Sequence, residues 1–347
     1  MAFNENTRVK IPAILHLCRL GYRYLSLSNA TWDLQTNIFT DIFHKSIAKI
    51  NPDADESAIK KTLENIYITL DSEDLGESFS KMLNETSGIK LIDFKDFSNN
   101  DFHVVTELNY KNGDEEFRPD ITVLVNGMPL AFIEVKKPNN QEGVLAERDR
   151  INVRFKNKKF RKFINLSQLL VFSNNMEYDS ESVEPIQGAF YSTTSYTTAN
   201  FNSFKEEEIF DLDTILSPGD EEVENVVLKD NNLSTIKHSP EFQTNKDPNT
   251  PTNRIITSLF SNDRLKFLLK YSLAYVREEK GIEKHIMRYP QIFATKAIKS
   301  AFDSGERKGI IWHTQGSGKT ALAFYNVNHL TDYFQSKHRS QVLFYCG

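Results

Sequence analysis

Hydrophobic positions change their period along this chain, and the changes divide it. Ile38, Ile42, Phe43 and Ile47 recur at helical spacing, as do Ile59, Leu63, Ile66 and Tyr67, so the first seventy residues read as helices. Leu75, Phe79, Met82 and Leu83 form one more apolar stripe between Asp74 and Thr86, with Gly88 placed as its stop. The period then shortens. Phe102 to Tyr110, Phe117 to Val125 and Leu130 to Lys136 are rich in β-branched and aromatic residues and are separated by Asn112-Gly113 and Asn126-Gly127, which predicts a three-stranded meander. A basic helical stretch follows from about Gly143, then a short apolar strand over Leu169-Leu170-Val171-Phe172, giving the order α-β-β-β-α-β. From Phe201 the chain turns acidic. From Lys229 to Asn253 it is polar and punctuated by Pro240, Pro248 and Pro251, which predicts an interdomain linker. Helical patterns resume through Ser300, and Lys308-Gly309-Ile310-Ile311-Trp312 reads as a buried strand entering a glycine-rich loop. The expected division is a helical part over 1–70, an α/β core over 71–200, an acidic and polar extension over 201–253, and a second α/β domain over 254–347. That last domain holds one strand and one helix past its loop, so the sequence reads as a piece of a longer protein.

Composition narrows the class. At 347 residues, 39% apolar and 12% aromatic, the chain can bury two ordinary cores, and 26% charged residues exclude collagen-like and low-complexity classes. No run approaches 18 apolar residues and the N-terminus carries no apolar signal core, so a cytoplasmic protein away from membranes is expected. Cys18 and Cys346 alone give neither a disulfide framework nor a metal-ligand spacing, and His16, His44, His103 and His285 show no metal spacing either. The net charge of −5 argues against a nucleic-acid partner until its distribution is considered. Between Lys136 and Lys162 ten basic residues stand against three acidic ones, whereas nine acidic residues and no basic one lie between Glu206 and Glu224. A positive face is therefore available despite the overall sign.

Chemistry enters at two places. Pro119-Asp120 falls on the second strand of the meander and Glu134-Val135-Lys136 on the third, and strand alternation puts Glu134 and Lys136 on one face with Ile133 and Val135 on the other. Asp120 faces the same side when it pairs directly with Glu134, which is expected to require an odd-length loop such as Asn126-Gly127-Met128; a two-residue loop would spoil it. Paired carboxylates of this kind bind Mg²⁺, which stabilises charge developing on a scissile phosphate, while the lysine orients or deprotonates the attacking water. The bland alternative is a hairpin whose charges face solvent. Lys137, Arg148, Arg154, Lys158 and Arg161 are the candidate contacts to the phosphate backbone, with a solvated helix face as their alternative.

The second place is Thr314-Gln315-Gly316-Ser317-Gly318-Lys319-Thr320, a phosphate loop between a strand and a helix. Thr314, Gly316, Ser317 and Gly318 offer backbone amides, Lys319 reaches the β and γ oxygens of ATP, and Thr320 holds Mg²⁺. His313 stands where the full G-x-x-x-x-G-K-[ST] pattern has glycine, which fits the looser loop of superfamily 2 helicases and translocases. Upstream, Arg288-Tyr289-Pro290-Gln291 resembles that superfamily's glutamine motif, with Gln291 on the adenine edge.

Asp120, Glu134 and Lys136 resemble the three motif positions of the PD-(D/E)xK nuclease superfamily. That resemblance implies a supporting Glu on the first core helix, for which Glu77 is the candidate, and often a Gln-x-x-x-Tyr motif on the following helix, which this sequence lacks. A nuclease of this kind followed by a superfamily 2 motor resembles the restriction (R) subunit of type I restriction-modification enzymes. Arg118-Pro119-Asp120, Glu134-Val135-Lys136-Lys137-Pro138, Phe172-Ser173-Asn174 and Trp312 to Thr320 carry that likeness over nearly the whole chain. It implies a PD-(D/E)xK restriction-endonuclease-like core with N-terminal helices, followed by a partial RecA-like P-loop domain. It further implies Mg²⁺-dependent cleavage of double-stranded DNA, ATP-driven translocation, and assembly with methyltransferase (M) and specificity (S) subunits, to which S-adenosylmethionine belongs. Type III restriction subunits join the same parts, but the resemblance places their nuclease after the motor. A non-cleaving, nucleotide-gated DNA-binding module is the remaining alternative.

Overall fold

A computed structural model describes residues 5–138, 143–178, 188–279, 281–312 and 318–337. The chain begins with α1 (Ile11–Arg19), β1 (Arg23–Tyr24), α2 (Thr40–Ile50), α3 (Glu56–Thr69) and α4 (Glu77–Leu83). Then come β2 (Phe102–Thr106), β3 (Tyr110–Asn112), β4 (Glu115–Phe117), β5 (Ile121–Val125) and β6 (Met128–Val135). Helices α5 (Gly143–Lys156) and α6 (Arg161–Leu166) lead to β7 (Leu169–Ser173), β8 (Ala189–Ser192) and β9 (Asn202–Ser203). The remaining elements are α7 (Leu212–Ile215), α8 (Glu221–Asp230), α9 (Pro240–Asn245), α10 (Pro251–Phe260), α11 (Asn262–Tyr271), the hairpin β10 (Leu273–Glu278) and β11 (Gly281–Ile286), α12 (Tyr289–Asp303) and α13 (Lys319–Ser336).

A mixed sheet in the order β1-β2-β5-β6-β7-β8-β9 organises the molecule. β2, β5 and β6 pair antiparallel, and β6 pairs parallel with β7 after the crossover through α5 and α6. Both faces are covered, which is why β2, β5, β6 and β7 are buried at every position rather than alternating with polar residues. Ile133 and Val135 point into the core shared with the N-terminal helices, whereas Phe132 packs with Phe117, Phe155, Phe160 and Phe163 on the opposite face. Glu134 has the parity of Phe132 and so faces the α5 side.

The β5–β6 turn differs from its expectation in an instructive way. It is the two-residue Asn126-Gly127 turn, both residues at positive φ (51° and 78°), the combination that matches hairpin twist. Val123 faces Ala131 while Leu124 faces Pro129, so Leu130 is the extra residue of a β-bulge. The bulge shifts the register by one, Ile121 pairs with Ile133, and Asp120 comes opposite Glu134 after all. Asn126 pins the turn from inside: its side chain donates to Leu91 O and Asn100 Oδ1 and accepts from Asp101 N, each at 2.8 Å.

Other expectations are corrected. The first predicted strand ends at Thr106, because Glu107 adopts φ 51° and turns the chain into the separate β3–β4 hairpin. The Asp74–Thr86 helix is shorter and stops at Asn84, ahead of Gly88. The 229–253 stretch is not an open linker: Pro240 and Pro251 start α9 and α10, where a missing N–H is harmless, and Ile236 and Phe242 are buried. One hydrophobic core contains residues from Val9 to Tyr325, so the expected boundary at 254 does not separate two cores. His16 hydrogen-bonds Thr257 Oγ1 at 2.7 Å and Tyr22 donates to Phe260 O at 2.8 Å across it. Lys308 to Trp312 do not form a buried strand; Ile310 and Trp312 are 91% and 90% exposed, because among the described residues no strand runs beside them to take up their backbone hydrogen bonds. No helix among the described residues is long and apolar enough to cross a membrane.

Candidate functional site

At the ends of β5 and β6 the structure brings Asp120, Glu134 and Lys136 together. Lys136 Nζ lies 3.7 Å from Asp120 Oδ2 and 3.9 Å from Glu134 Oε2. Asp120 is fixed by its backbone surroundings: Oδ2 accepts from Val135 N at 3.0 Å, and its carbonyl accepts from Glu107 N at 3.2 Å. A third carboxylate that the sequence pattern missed, Glu147 on α5, places Oε2 3.8 Å from Lys136 Nζ. Only the crossover geometry could reveal it, since no motif spacing ties it to the strands.

Burial first, then the charges of Asp120 and Glu147, push the Glu134 carboxyl well above the usual carboxylate range, with Lys136 opposing. Burial works against the Lys136 charge as well. Asp120, Glu134, Glu5 and Glu147 nonetheless outweigh it and hold the lysine above its ordinary value. The lysine thus sits as an ammonium among these acids.

Glu134 Oε1 is buried and has no hydrogen-bond partner among the described residues. A buried carboxyl oxygen without a partner is costly, and a cation that displaces the carboxyl proton is one group that would satisfy it. No group of three or more His, Cys, Asp or Glu converges as a ready-made metal cage among the described residues. Two carboxylates nevertheless suit Mg²⁺, which keeps several waters and takes the rest of its shell from substrate phosphate.

Glu77 does not join this cluster; it pairs with Lys81 at 2.7 Å and with Arg277 of β10. The basic stretch is only partly available. Lys137 and Lys158 are exposed, but Arg161 pairs with Glu73 at 2.7 Å, Arg148 with Asp149 at 3.3 Å, and Arg154 with Glu147 at 3.6 Å while lying 4.2 Å over the Phe117 ring. Counting charges along the sequence could not see these partners.

At the glycine-rich loop, Thr314, Gly316 and Ser317 lie outside the described residues. Lys319 and Thr320 open α13, both exposed. Gln291 is buried at the start of α12, where Oε1 accepts from Arg288 N at 2.9 Å and Nε2 donates to Gly318 O at 3.2 Å. Gly318 has φ 84°, a left-handed conformation that favours glycine, and its carbonyl receives the Gln291 amide.

A family model described as type I restriction enzyme R protein N terminus matches residues 2–180, a segment that holds the whole carboxylate–lysine cluster. The chain belongs to this family. A second model, described as type III restriction enzyme, res subunit, matches residues 284–346, where Gln291 and Lys319 fall. Among similar proteins are two from Methanocaldococcus jannaschii named as type I restriction enzyme endonuclease subunits. MjaIXP is 28% identical across 93% of this chain and 31% of its own length, and MjaVIIP is 26% identical across 73% and 20%. The HindI endonuclease subunit of a type I restriction enzyme from Haemophilus influenzae is 22% identical across 85% of this chain and 26% of its own length. The chain thus spans about a fifth to a third of the curated relatives it matches.

Proposed function

We propose that this chain is the nuclease and first motor segment of a type I restriction enzyme R subunit, with a PD-(D/E)xK-like core followed by the start of a RecA-like domain. Its reaction is hydrolysis of double-stranded DNA phosphodiester bonds, coupled in the whole assembly to ATP-driven translocation and to methyltransferase and specificity subunits. The observation that carries the nuclease reading is the unpartnered, buried Glu134 Oε1 opposite Asp120, beside a charged lysine.

Asp120 and Glu134 would hold Mg²⁺, which supplies charge neutralisation at the scissile phosphate when bound. In hydrolysis a water oxygen attacks phosphorus and the bond to the leaving sugar oxygen breaks. The Lys136 ammonium donates a hydrogen bond that orients the attacking water or a non-bridging phosphate oxygen. Lys137 and Lys158 are exposed cations that meet flanking phosphates. Gln291, Gly318, Lys319 and Thr320, with Thr314, Gly316 and Ser317, form the ATP side, Lys319 facing phosphate oxygens and Thr320 a second Mg²⁺.

In the full-length subunit assembled with its partners, Asp120→Ala is expected to abolish cutting while ATP hydrolysis and translocation persist. Lys319→Ala is expected to abolish ATP hydrolysis and the cutting of distant DNA. Loss of both activities in the Asp120 variant would contradict separate sites.

A further inference from the structure

Glu147 is 2% exposed, yet its carboxylate is surrounded by three cations. Oε2 lies 3.8 Å from Lys136 Nζ and 3.2 Å from Arg150 Nη1, and Oε1 lies 3.6 Å from Arg154 Nη1. Lys136 Nζ donates to Val135 O at 3.1 Å and is almost equidistant from three of the four acids that act on it, at 3.7 Å from Asp120, 3.9 Å from Glu134 and 3.8 Å from Glu147, with Glu5 the fourth. Asp120 and Glu134 alone would draw the ammonium toward the space between them, where a metal ion is proposed to bind. Glu147 pulls from the helix side, in a buried setting where each such attraction is strong. The same carboxylate is shared with Arg150, whose side chain is 52% exposed on the basic helix, and with Arg154, packed on Phe117.

Resting on the nuclease reading above, we propose that Glu147 is a positioning residue: it holds the Lys136 ammonium off the Asp120–Glu134 pair and links that placement to Arg150 and Arg154. A DNA phosphate that engages Arg150 competes with Glu147 for its guanidinium, because a bidentate phosphate contact is a stronger partner than the 3.2 Å contact to Glu147. As that hold loosens, Glu147 is left to Lys136 and Arg154. Backbone engagement at α5 is thereby transmitted to the lysine through one carboxylate, without movement of the sheet.

The test is single-turnover DNA cutting by the full-length subunit in its assembly, with saturating Mg²⁺ and with ATP hydrolysis and thermal unfolding measured alongside. Glu147→Gln is expected to slow cutting by roughly 10–100-fold, the range for residues that orient an active-site group, and Glu147→Asp to recover part of the loss. The effect of Glu147→Gln should shrink when Lys136 is already Arg, and Arg150→Gln should change the cutting rate when Glu147 is present but not when it is Gln. Wild-type cutting by Glu147→Gln, multiplication of the Glu147 and Lys136 effects, or a fall in rate that only follows a fall in unfolding temperature would overturn the positioning role. An Arg150 effect of equal size in both backgrounds would overturn the link. Asp120→Ala, run in parallel, separates the two layers: intact cutting there refutes the nuclease reading, whereas an inactive Asp120 variant beside a fully active Glu147→Gln refutes only this inference.

Discussion

Lys284 offers a test of how tightly the β10–β11 hairpin is built into the molecule. It lies on β11 opposite Tyr275, is 7% exposed, and donates to Ser167 O at 2.9 Å and to Thr194 Oγ1 at 3.3 Å. Burial lowers its pKa from 10.5 to about 7, with Asp74 opposing weakly. Between those two values the unfolded chain holds a proton that the folded chain lacks, so raising the pH favours folding. The stability missing at neutral pH returns as the pH approaches the unfolded value. From pH 7, where the folded amine is half protonated, to pH 9 the gain is about 2 kcal/mol. Lys284→Met keeps the length and bulk of the side chain and removes the titration. Urea unfolding of both proteins at pH 7, 8 and 9 should show the wild type improving relative to the variant by about 2 kcal/mol over that range. A wild-type minus variant difference that stays constant with pH would refute the claim that the amine is buried in the folded state.

Phe132, fully buried 5.4 Å from Phe163 and 5.8 Å from Phe117, anchors the face that carries Glu134, and Phe132→Ala should cost about 3–5 kcal/mol in urea unfolding. Gly127→Ala combines positive φ with a Cβ 2.7 Å from both Phe39 O and Phe43 N, so it should destabilise the β5–β6 turn and lower the unfolding midpoint. Removing the exposed charges of Lys137 and Lys158 should flatten the salt dependence of DNA binding by about one log-log unit each, while Arg161→Gln, already paired with Glu73, should leave the slope nearly unchanged. An equal change at Arg161 would show that its ion pair yields to phosphate.

Much of this molecule was legible in the sequence where local chemistry decides. The parity of Glu134, Val135 and Lys136 follows from strand alternation, and the Asn126-Gly127 turn from the ease with which these two residues take positive φ. The mixed α/β class was readable from the shift in apolar period. Where the reading failed, the cause was a partner distant in sequence. The polar stretch from Lys229 to Asn253 looked like a linker because apolar residues such as Ile236 and Phe242 gain their burial only from elements distant in sequence. Lys308 to Trp312 looked like a strand because their composition suits one, yet among the described residues no neighbouring strand pairs with them.

By itself, then, the sequence determined the alternation that sends Glu134 and Lys136 to one face and the turn that reverses the chain between the two strands. Tertiary structure alone decided that Asp120 meets Glu134, through the Leu130 bulge, and that Glu147 reaches Lys136 from the crossover helix. It also decided that several arginines of the basic run are paired with carboxylates. The reason is physical: periodicity and turn propensity act within a few residues, whereas register, burial and charge pairing depend on which surfaces the whole chain brings together.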